Sequence, residues 1–306
     1  MQAPTLAVVI PATDDPPTLE RCTTALEESS SPAQEVVVQR EPAGAGPAAA
    51  RNLGAARTTG EVIVFVDADV EVHPDALAAI EARFSADPDL AALFGAYDDS
   101  PAAPGLTSRF RNLLHHHVHA SAPGGAETFW AGLGAVRRDA FAAVGGFDAS
   151  RFSVPSVEDL ELGVRLHRRG LRIVLDPAIR GRHLKRWTLR SMVATDFARR
   201  GVPWTQLLLR ERGAGGGALN LGWRHRASAA ASLALLIGLS LRRPRLGAAA
   251  LGAGLFLNRS FYALLARRGG SRLALAGIGL HQLHHLTAVA SVPAGAILHW
   301  RERAAG

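Results

Sequence analysis

The run Val62-Ile63-Val64-Phe65-Val66-Asp67-Ala68-Asp69 constrains this chain more than any other stretch. Its β-branched and aromatic residues predict a buried strand, and two carboxylates at alternate positions close it. A hard cation such as Mg²⁺ or Mn²⁺ keeps several waters and takes one or two carboxylates plus phosphate oxygens. Acids that hold such an ion must therefore stand at an open strand end. Asp67 and Asp69 occupy that place. An isolated Asp-x-Asp is common and by itself only ends a strand, so its surroundings decide its weight.

Upstream, residues 6–10 form an apolar run ending at Pro11, followed by Asp14-Asp15-Pro16-Pro17 and the helical spacing of Leu19, Cys22 and Leu26. Residues 35–39 read as a second strand, 47–58 as a small-residue helix and 61–66 as the third strand. Strand–helix alternation of this length predicts an α/β domain, a Rossmann-like, mostly parallel sheet with helices on its faces. Ligands of such sheets lie beyond the carboxyl ends of the strands, where residues 11–15, 40–46 and 67–69 converge. Further on, the pattern predicts helices at 73–84, 105–119, 138–144 and 157–169, strands at 90–97 and 171–175, and strand plus loop at 127–136. His115, His116, His117 and His119 read as a polar or interfacial helix end, because consecutive residues on a helix point in different directions.

Composition changes near residue 213, after which the chain is rich in Ala, Leu and Gly. The expected organisation is a catalytic domain at 1–186, amphipathic interfacial helices with a linker at 187–226, and two or three transmembrane helices within 227–300. The single cysteine, Cys22, excludes an intramolecular disulfide and a cysteine-based zinc site. A net charge of +7 raises the possibility of nucleic acid. The basic residues, however, are nearly all arginines and concentrate at 180–212 and beside the apolar segments, a distribution that fits anionic lipid head groups better. Residues 1–5 lack both regions of a signal peptide, so membrane attachment is assigned to the C-terminal part. The preference for arginine over lysine suggests a GC-rich bacterial genome.

Four motifs then fall in register over residues 5–185. They are Gly46-Pro47-Ala48-Ala49-Ala50-Arg51-Asn52-Leu53-Gly54, Gly60-Glu61 through Asp67-Ala68-Asp69, Gly145-Gly146-Phe147-Asp148, and Glu158-Asp159-Leu160-Glu161-Leu162-Gly163. In this order they resemble the family 2 glycosyltransferases with the GT-A fold. The resemblance implies inverting transfer of a sugar from a nucleotide-sugar donor, with Mg²⁺ or Mn²⁺ held at the Asp-x-Asp motif. Asp67 would lie near the nucleotide and Asp69 would bind the metal. Asp159 matches the family's base, which deprotonates the acceptor hydroxyl in line with the leaving diphosphate. Glu158 beside it would raise the pKa by adding negative charge and burial; alternatively the two acids simply complement the dipole of a helix start.

The chain departs from the family after the second strand. Many members carry Asp-Asp-Gly-Ser-Thr-Asp there, whereas Gln39-Arg40-Glu41-Pro42 follows here. Nucleotide contacts are left to Pro11, Thr13 and Asp15 of the first loop, and to Arg51, which either serves the diphosphate or lies on a helix surface. His183-Leu184-Lys185-Arg186-Trp187 stands where polymerising relatives carry Gln-x-x-Arg-Trp. His183 is expected at the pyrophosphate or metal, with Arg186 and Trp187 clamping pyrophosphate and stacking on the acceptor. The altered motif favours single transfer over processive polymerisation.

Of the apolar segments at 227–241, 246–266 and 273–300, the second and third are long enough to span, while the first is marginal and reads equally as re-entrant or interfacial; the catalytic domain is expected on the cytosolic side of a bacterial inner membrane. A hairpin about Gly270 would bring Arg259 and His281 to one depth, where they are expected to contact the phosphate of a polyprenyl-linked acceptor. Two other functions compete: a catalytically silent membrane scaffold of the same fold, and a sugar nucleotidyltransferase. The latter is disfavoured because Pro11–Pro17 is acidic and proline-rich rather than basic and glycine-rich.

Overall fold

A computed structural model of the chain describes residues 3–211 and 222–305. The glycine-rich stretch 213–217, where the composition changes, lies outside the described residues. Two compact units are present: Met1–Ala102 with Val118–Lys185, and Ala103–His117 with Arg186–Gly306. A stretch expected inside the catalytic domain, 103–117, thus belongs to the second unit.

The first unit is built on strands β1 (Leu6–Pro11), β2 (Glu35–Gln39), β3 (Val62–Val66), β4 (Val70–Val72), β5 (Leu90–Tyr97), β6 (Gly124–Ala126), β7 (Leu133–Arg137) and β8 (Arg172–His183). They form one sheet in the order β2-β1-β3-β7-β5-β8-β4, with β6 added on β8. The sheet is mixed. β2, β1 and β3 run parallel, as do β5 and β8, while β7, β4 and β6 pair antiparallel with their neighbours. β3 lies inside it with all five residues buried, as its unbroken apolar run requires.

Helices α1 (Leu19–Glu27), α2 (Gly46–Ala56), α3 (Ala76–Ala86), α5 (Arg138–Ala143) and α6 (Glu158–Arg168) belong to this unit, and α4 (Leu106–Ala120) passes from the second unit into it. The small residues of α2 have a packing reason: a Cβ on Gly54 would lie 2.3 Å from Val9 Cγ1 on β1. Arg138 donates to the carbonyls of Ala55 and Gly60 and to the Thr58 hydroxyl, closing the end of α2.

Two elements were not anticipated, and both shape the site. β8 runs to His183 instead of stopping near residue 175, and the three-residue β4 pairs with its end, Val70 opposite His183. The β5–β8 register shifts between Phe94 opposite Leu175 and Ala96 opposite Arg180, so β8 carries extra residues there, Pro177 among them. Proline gives no ladder N–H and is at home in such a bulge. Gly95 is needed opposite, because its Cβ would stand 2.3 Å from the Ile179 carbonyl oxygen.

The second unit is helical. α7 (Leu189–Ala194) starts from a reciprocal Thr188–Ser191 cap and runs into a π-helical segment, Thr195–Gly201, then α8 (Val202–Arg210). α9 (Trp223–Ser240), α10 (Pro244–Leu257) and α11 (Arg259–Ala305) follow, α11 being broken at Gly270 with φ 68°. The apolar segment 246–266 is therefore not one continuous helix, since the chain bends by 71° between α10 and α11. Among the described residues no single helix is long and apolar enough to cross a membrane, although the bent pair Pro244–Leu257 with Arg259–Ala304 meets that test together.

The hairpin about Gly270 forms, but with a different partner for His281. Its Nδ1 lies 3.2 Å from the Tyr262 hydroxyl, and its ring meets Phe261 at 5.1 Å. Arg259 is exposed instead. The break at Asn258 makes Arg259 the first residue of a new helix, so its guanidinium folds back over the Phe256 ring at 4.6 Å and donates to the Phe256 carbonyl. A buried ion pair, Arg111 to Asp196 at 2.7 Å, is extended by His284 at 2.8 Å.

Candidate active site

Asp67 and Asp69 stand directly beyond β3, in the turn that leads into β4. Asp67 donates its N–H to Gly132 O at 3.0 Å, tying the turn to the strand that neighbours β3. Its carboxylate accepts from Arg51 Nη2 at 2.6 Å, and Arg51 Nη1 donates to Glu158 at 2.9 Å. One buried guanidinium thus joins the Asp-x-Asp turn to the Glu–Asp pair opening α6. Burial works against the charge of Arg51, but Asp67, Glu158 and Asp159 outweigh it and push the guanidinium higher. The expectation that Arg51 serves a diphosphate gives way to this bridge: Arg51 is 3% exposed, with both terminal nitrogens engaged.

Glu158 is likewise turned inward. One carboxylate oxygen takes Arg51 and the other takes the Ser156 N–H at 2.8 Å, and the residue is 4% exposed. This geometry makes it a counter-ion for Arg51 instead of a proton acceptor. Asp159 differs. It is partly exposed, and its two oxygens accept from the N–H groups of Leu160 at 2.8 Å and Ala131 at 3.3 Å, which fix the carboxylate at the start of α6. α6 can approach the 128–131 loop only because residue 163 is glycine: a Cβ there would lie 2.1 Å from Phe129 N.

Asp69 faces His183, whose Nε2 is 3.5 Å from Asp69 Oδ2. The pairing follows from the β4–β8 ladder and from Leu184 N–H donating to Asp69 O at 2.8 Å. Burial would raise the Asp69 carboxyl, but His183 and Lys185 outweigh it and hold it below the usual carboxylate range. Two octahedral donors at about 2.1 Å from one small dication lie about 3 Å apart, so the Asp69–His183 spacing suits shared coordination after small movement. Among the described residues no group of three or more His, Cys, Asp or Glu is placed to hold a metal ion; the Asp69–His183 pair offers a carboxylate oxygen and an imidazole nitrogen, a donor chemistry that suits a Mg²⁺- or Mn²⁺-type ion completed by phosphate oxygens.

Beyond the carboxyl ends of β1 and β2, the loop after β1 and the exit of β2 are joined by backbone bonds, Ala12 N to Gln39 O at 2.9 Å and Gly44 N to Thr13 O at 3.0 Å. Pro11 and Thr13 are half-buried there, and Asp15 is exposed and paired with Arg40 at 2.7 Å. Gln39, in the place of the missing aspartate, is buried and accepts from Arg57 at 3.1 Å. Cys22 lies below the turn, its thiol pushed up to about 12 by burial and by the charges of Asp67 and Asp69.

Arg186 and Trp187 fall in the second unit. Trp187 is buried there: its backbone exchanges hydrogen bonds with the Ser108 hydroxyl, and Arg111 lies over its ring at 5.5 Å. It is a packing residue in this structure and offers no open ring face to a sugar, whereas Arg186 is exposed.

The remaining motifs gain a reason. The Asn52 amide donates to Phe147 O at 2.8 Å and accepts from Phe147 N at 2.9 Å, so the α2 motif holds the Gly-Gly-Phe-Asp turn. Sequence reasoning missed Tyr97, Trp130 and the Ala131 N–H. The only available signal was the placing of Trp130 beside Gly132 and Gly134, which marks a tight turn.

Residues 34–145 match glycosyl transferase family 2, a stretch that includes Arg51, Asp67 and Asp69. The chain is similar to that family over this stretch. Among solved structures it is similar to the mannosyltransferase PcManGT from Pyrobaculum calidifontis, in complex with GDP-Man and Mn²⁺, at 19% identity and a TM-score of 0.56 over 95% of this chain and 88% of that one. It is also similar to S. aureus TarS 1–349, at 14% identity and a TM-score of 0.46 over 92% and 90% of the two chains. The first likeness is one of fold, the GT-A fold. No curated protein matches the chain.

Proposed function

We propose that this chain is an inverting, metal-dependent glycosyltransferase that moves one sugar at a time from a nucleotide-sugar donor onto a lipid-linked or membrane-proximal acceptor, in envelope polysaccharide or glycolipid assembly. The observation that carries this is the Arg51 bridge: one guanidinium holds Asp67 of the donor-side turn and Glu158 of the acceptor-side pair. Acids from two distant sequence motifs are thereby held at one buried guanidinium.

Asp69 and His183 would hold the dication, whose chemistry is to neutralise charge on the departing diphosphate. Mn²⁺ in the PcManGT complex is consistent with this reading. Asp159 takes the proton of the acceptor hydroxyl; the Ala131 and Leu160 N–H groups hold its carboxylate for that step. The alkoxide character gained by the acceptor oxygen drives attack at the anomeric carbon, the C–O bond to the diphosphate breaks, and the configuration inverts.

The membrane reading, with the catalytic domain on the cytosolic side of a bacterial inner membrane, draws support from the second unit taken alone. Leu236, Leu239, Leu241 and Phe256 are exposed there, and Arg242, Arg243 and Arg245 cluster where α9 ends and α10 begins. The test is release of nucleoside diphosphate from UDP-, GDP- and dTDP-sugars by detergent-purified protein with Mn²⁺ or Mg²⁺ and a polyprenyl phosphate. Turnover with one donor, dependent on the lipid, supports the reading. Silence across the panel without nucleotide binding moves the assignment to the scaffold.

A further inference from the structure

Behind His183 and Asp159 the first unit holds an aromatic chain that no motif marks. The Tyr97 ring stacks on the His183 ring at 4.1 Å and 10°. The Trp130 ring meets Tyr97 edge-on at 4.8 Å and 84°, and His119 meets Trp130 at 5.0 Å and 80°. His119 is itself anchored, its Nδ1 3.1 Å from the Gly95 carbonyl. All four aromatic residues are buried. An imidazole flanked in this way cannot turn about its ring axis without breaking the stack, so its Nε2 is kept on the Asp69 side.

The next residue after Trp130 is the one whose N–H holds Asp159. The turn is also filled to contact. A Cβ on Gly132 would lie 2.4 Å from the Trp130 ring, and one on Gly134 would lie 2.3 Å from the Trp130 carbonyl oxygen. Neither the indole nor the Ala131 amide can shift without the other.

We infer that Tyr97 and Trp130 are positioning residues of the transfer reaction: through Tyr97 the Trp130–Ala131 turn aims His183 at the donor-side metal, and through its amide it aims Asp159 at the acceptor. This rests on the function proposed above. Both rings are buried, and each acts through the residue it supports. Groups that orient metal ligands change metal affinity by about 10- to 100-fold when removed, although they donate nothing to the ion.

The experiment is Mn²⁺ binding to the full-length, detergent-purified protein with saturating UDP or GDP, followed by electron paramagnetic resonance of free Mn²⁺. It compares wild type, Tyr97→Phe, Tyr97→Leu, His183→Ala and the Tyr97→Leu/His183→Ala pair. Tyr97→Leu should weaken Mn²⁺ binding about tenfold or more, and Tyr97→Phe, which keeps the stacked ring, should restore it. In the His183→Ala background Tyr97→Leu should change nothing further, an outcome a general folding defect would not give. Wild type that binds Mn²⁺ and nucleotide while Tyr97→Leu binds equally well overturns the positioning role alone. Wild type that binds no Mn²⁺ with either nucleotide overturns the function and the inference together.

Discussion

Arg51 Nη2 lies 2.6 Å from Asp67 Oδ1, and a second carboxylate, Glu158, takes the other end of the same buried guanidinium. Removing Arg51 leaves two carboxylates facing each other with no cation between them. Breaking one partner out of a buried pair costs about 3–5 kcal/mol. Arg51→Met should lower unfolding stability by that order, measured by denaturant titration followed at the tryptophans. Arg51→Lys should recover only part, because one ammonium cannot meet two carboxylates in fork geometry.

Gly163 gives a second prediction. Gly163→Ala places a methyl group against the Phe129 amide, and overpacking of this kind costs about 1–3 kcal/mol. The loop must move, and the Ala131 N–H that holds Asp159 moves with it. Turnover should fall with donor binding retained, read as kcat against the nucleotide dissociation constant. Loss of donor binding in parallel would place Gly163 in the donor site instead.

The contrast between these residues shows what the sequence could and could not supply. Val62–Asp69 declared a buried strand and an acidic end because both signals are local. The resemblance named Asp69 and Asp159 by register. The partners of Arg51 were not legible, since Glu158 is distant in sequence and reaches it only through packing. His183 came next to Asp69 through β4 and the far end of β8, where three residues and a proline-containing bulge give no periodic signal. The C-terminal helices were legible as apolar runs, but the break at Asn258 was not, because no proline or glycine marks it.

In the second unit, Asp196 is buried against Arg111 and His284. Burial raises its carboxyl, yet the two basic partners outweigh it and hold it well below the usual range. A carboxyl depressed in the folded state adds stability above its unfolded pKa of about 3.9 and loses it as the pH falls through the folded value. Unfolding free energy should therefore drop on acidification below about pH 4, and Asp196→Asn should flatten that limb while lowering stability at neutral pH. A parallel acid limb in the variant would assign the effect to other carboxylates.

The arginines at the junction of α9 and α10 predict a lipid dependence. Each basic residue near an anionic surface contributes about 1 kcal/mol, so replacing Arg242, Arg243 and Arg245 by glutamine should weaken binding to phosphatidylglycerol-containing vesicles. The loss should shrink as salt is raised. Flotation with neutral vesicles, where the substitution should have little effect, is the control.

The central claim is that Asp69 serves the donor and Asp159 the acceptor. It is tested most directly by measuring nucleoside diphosphate release and Mn²⁺-nucleotide binding side by side in Asp69→Ala and Asp159→Asn. Asp69→Ala should lose both, while Asp159→Asn should keep binding and lose turnover by about 10²- to 10⁴-fold, the range spanned by general-base catalysis. Retained turnover in Asp159→Asn, or unaltered Mn²⁺-nucleotide binding in Asp69→Ala, would contradict the account.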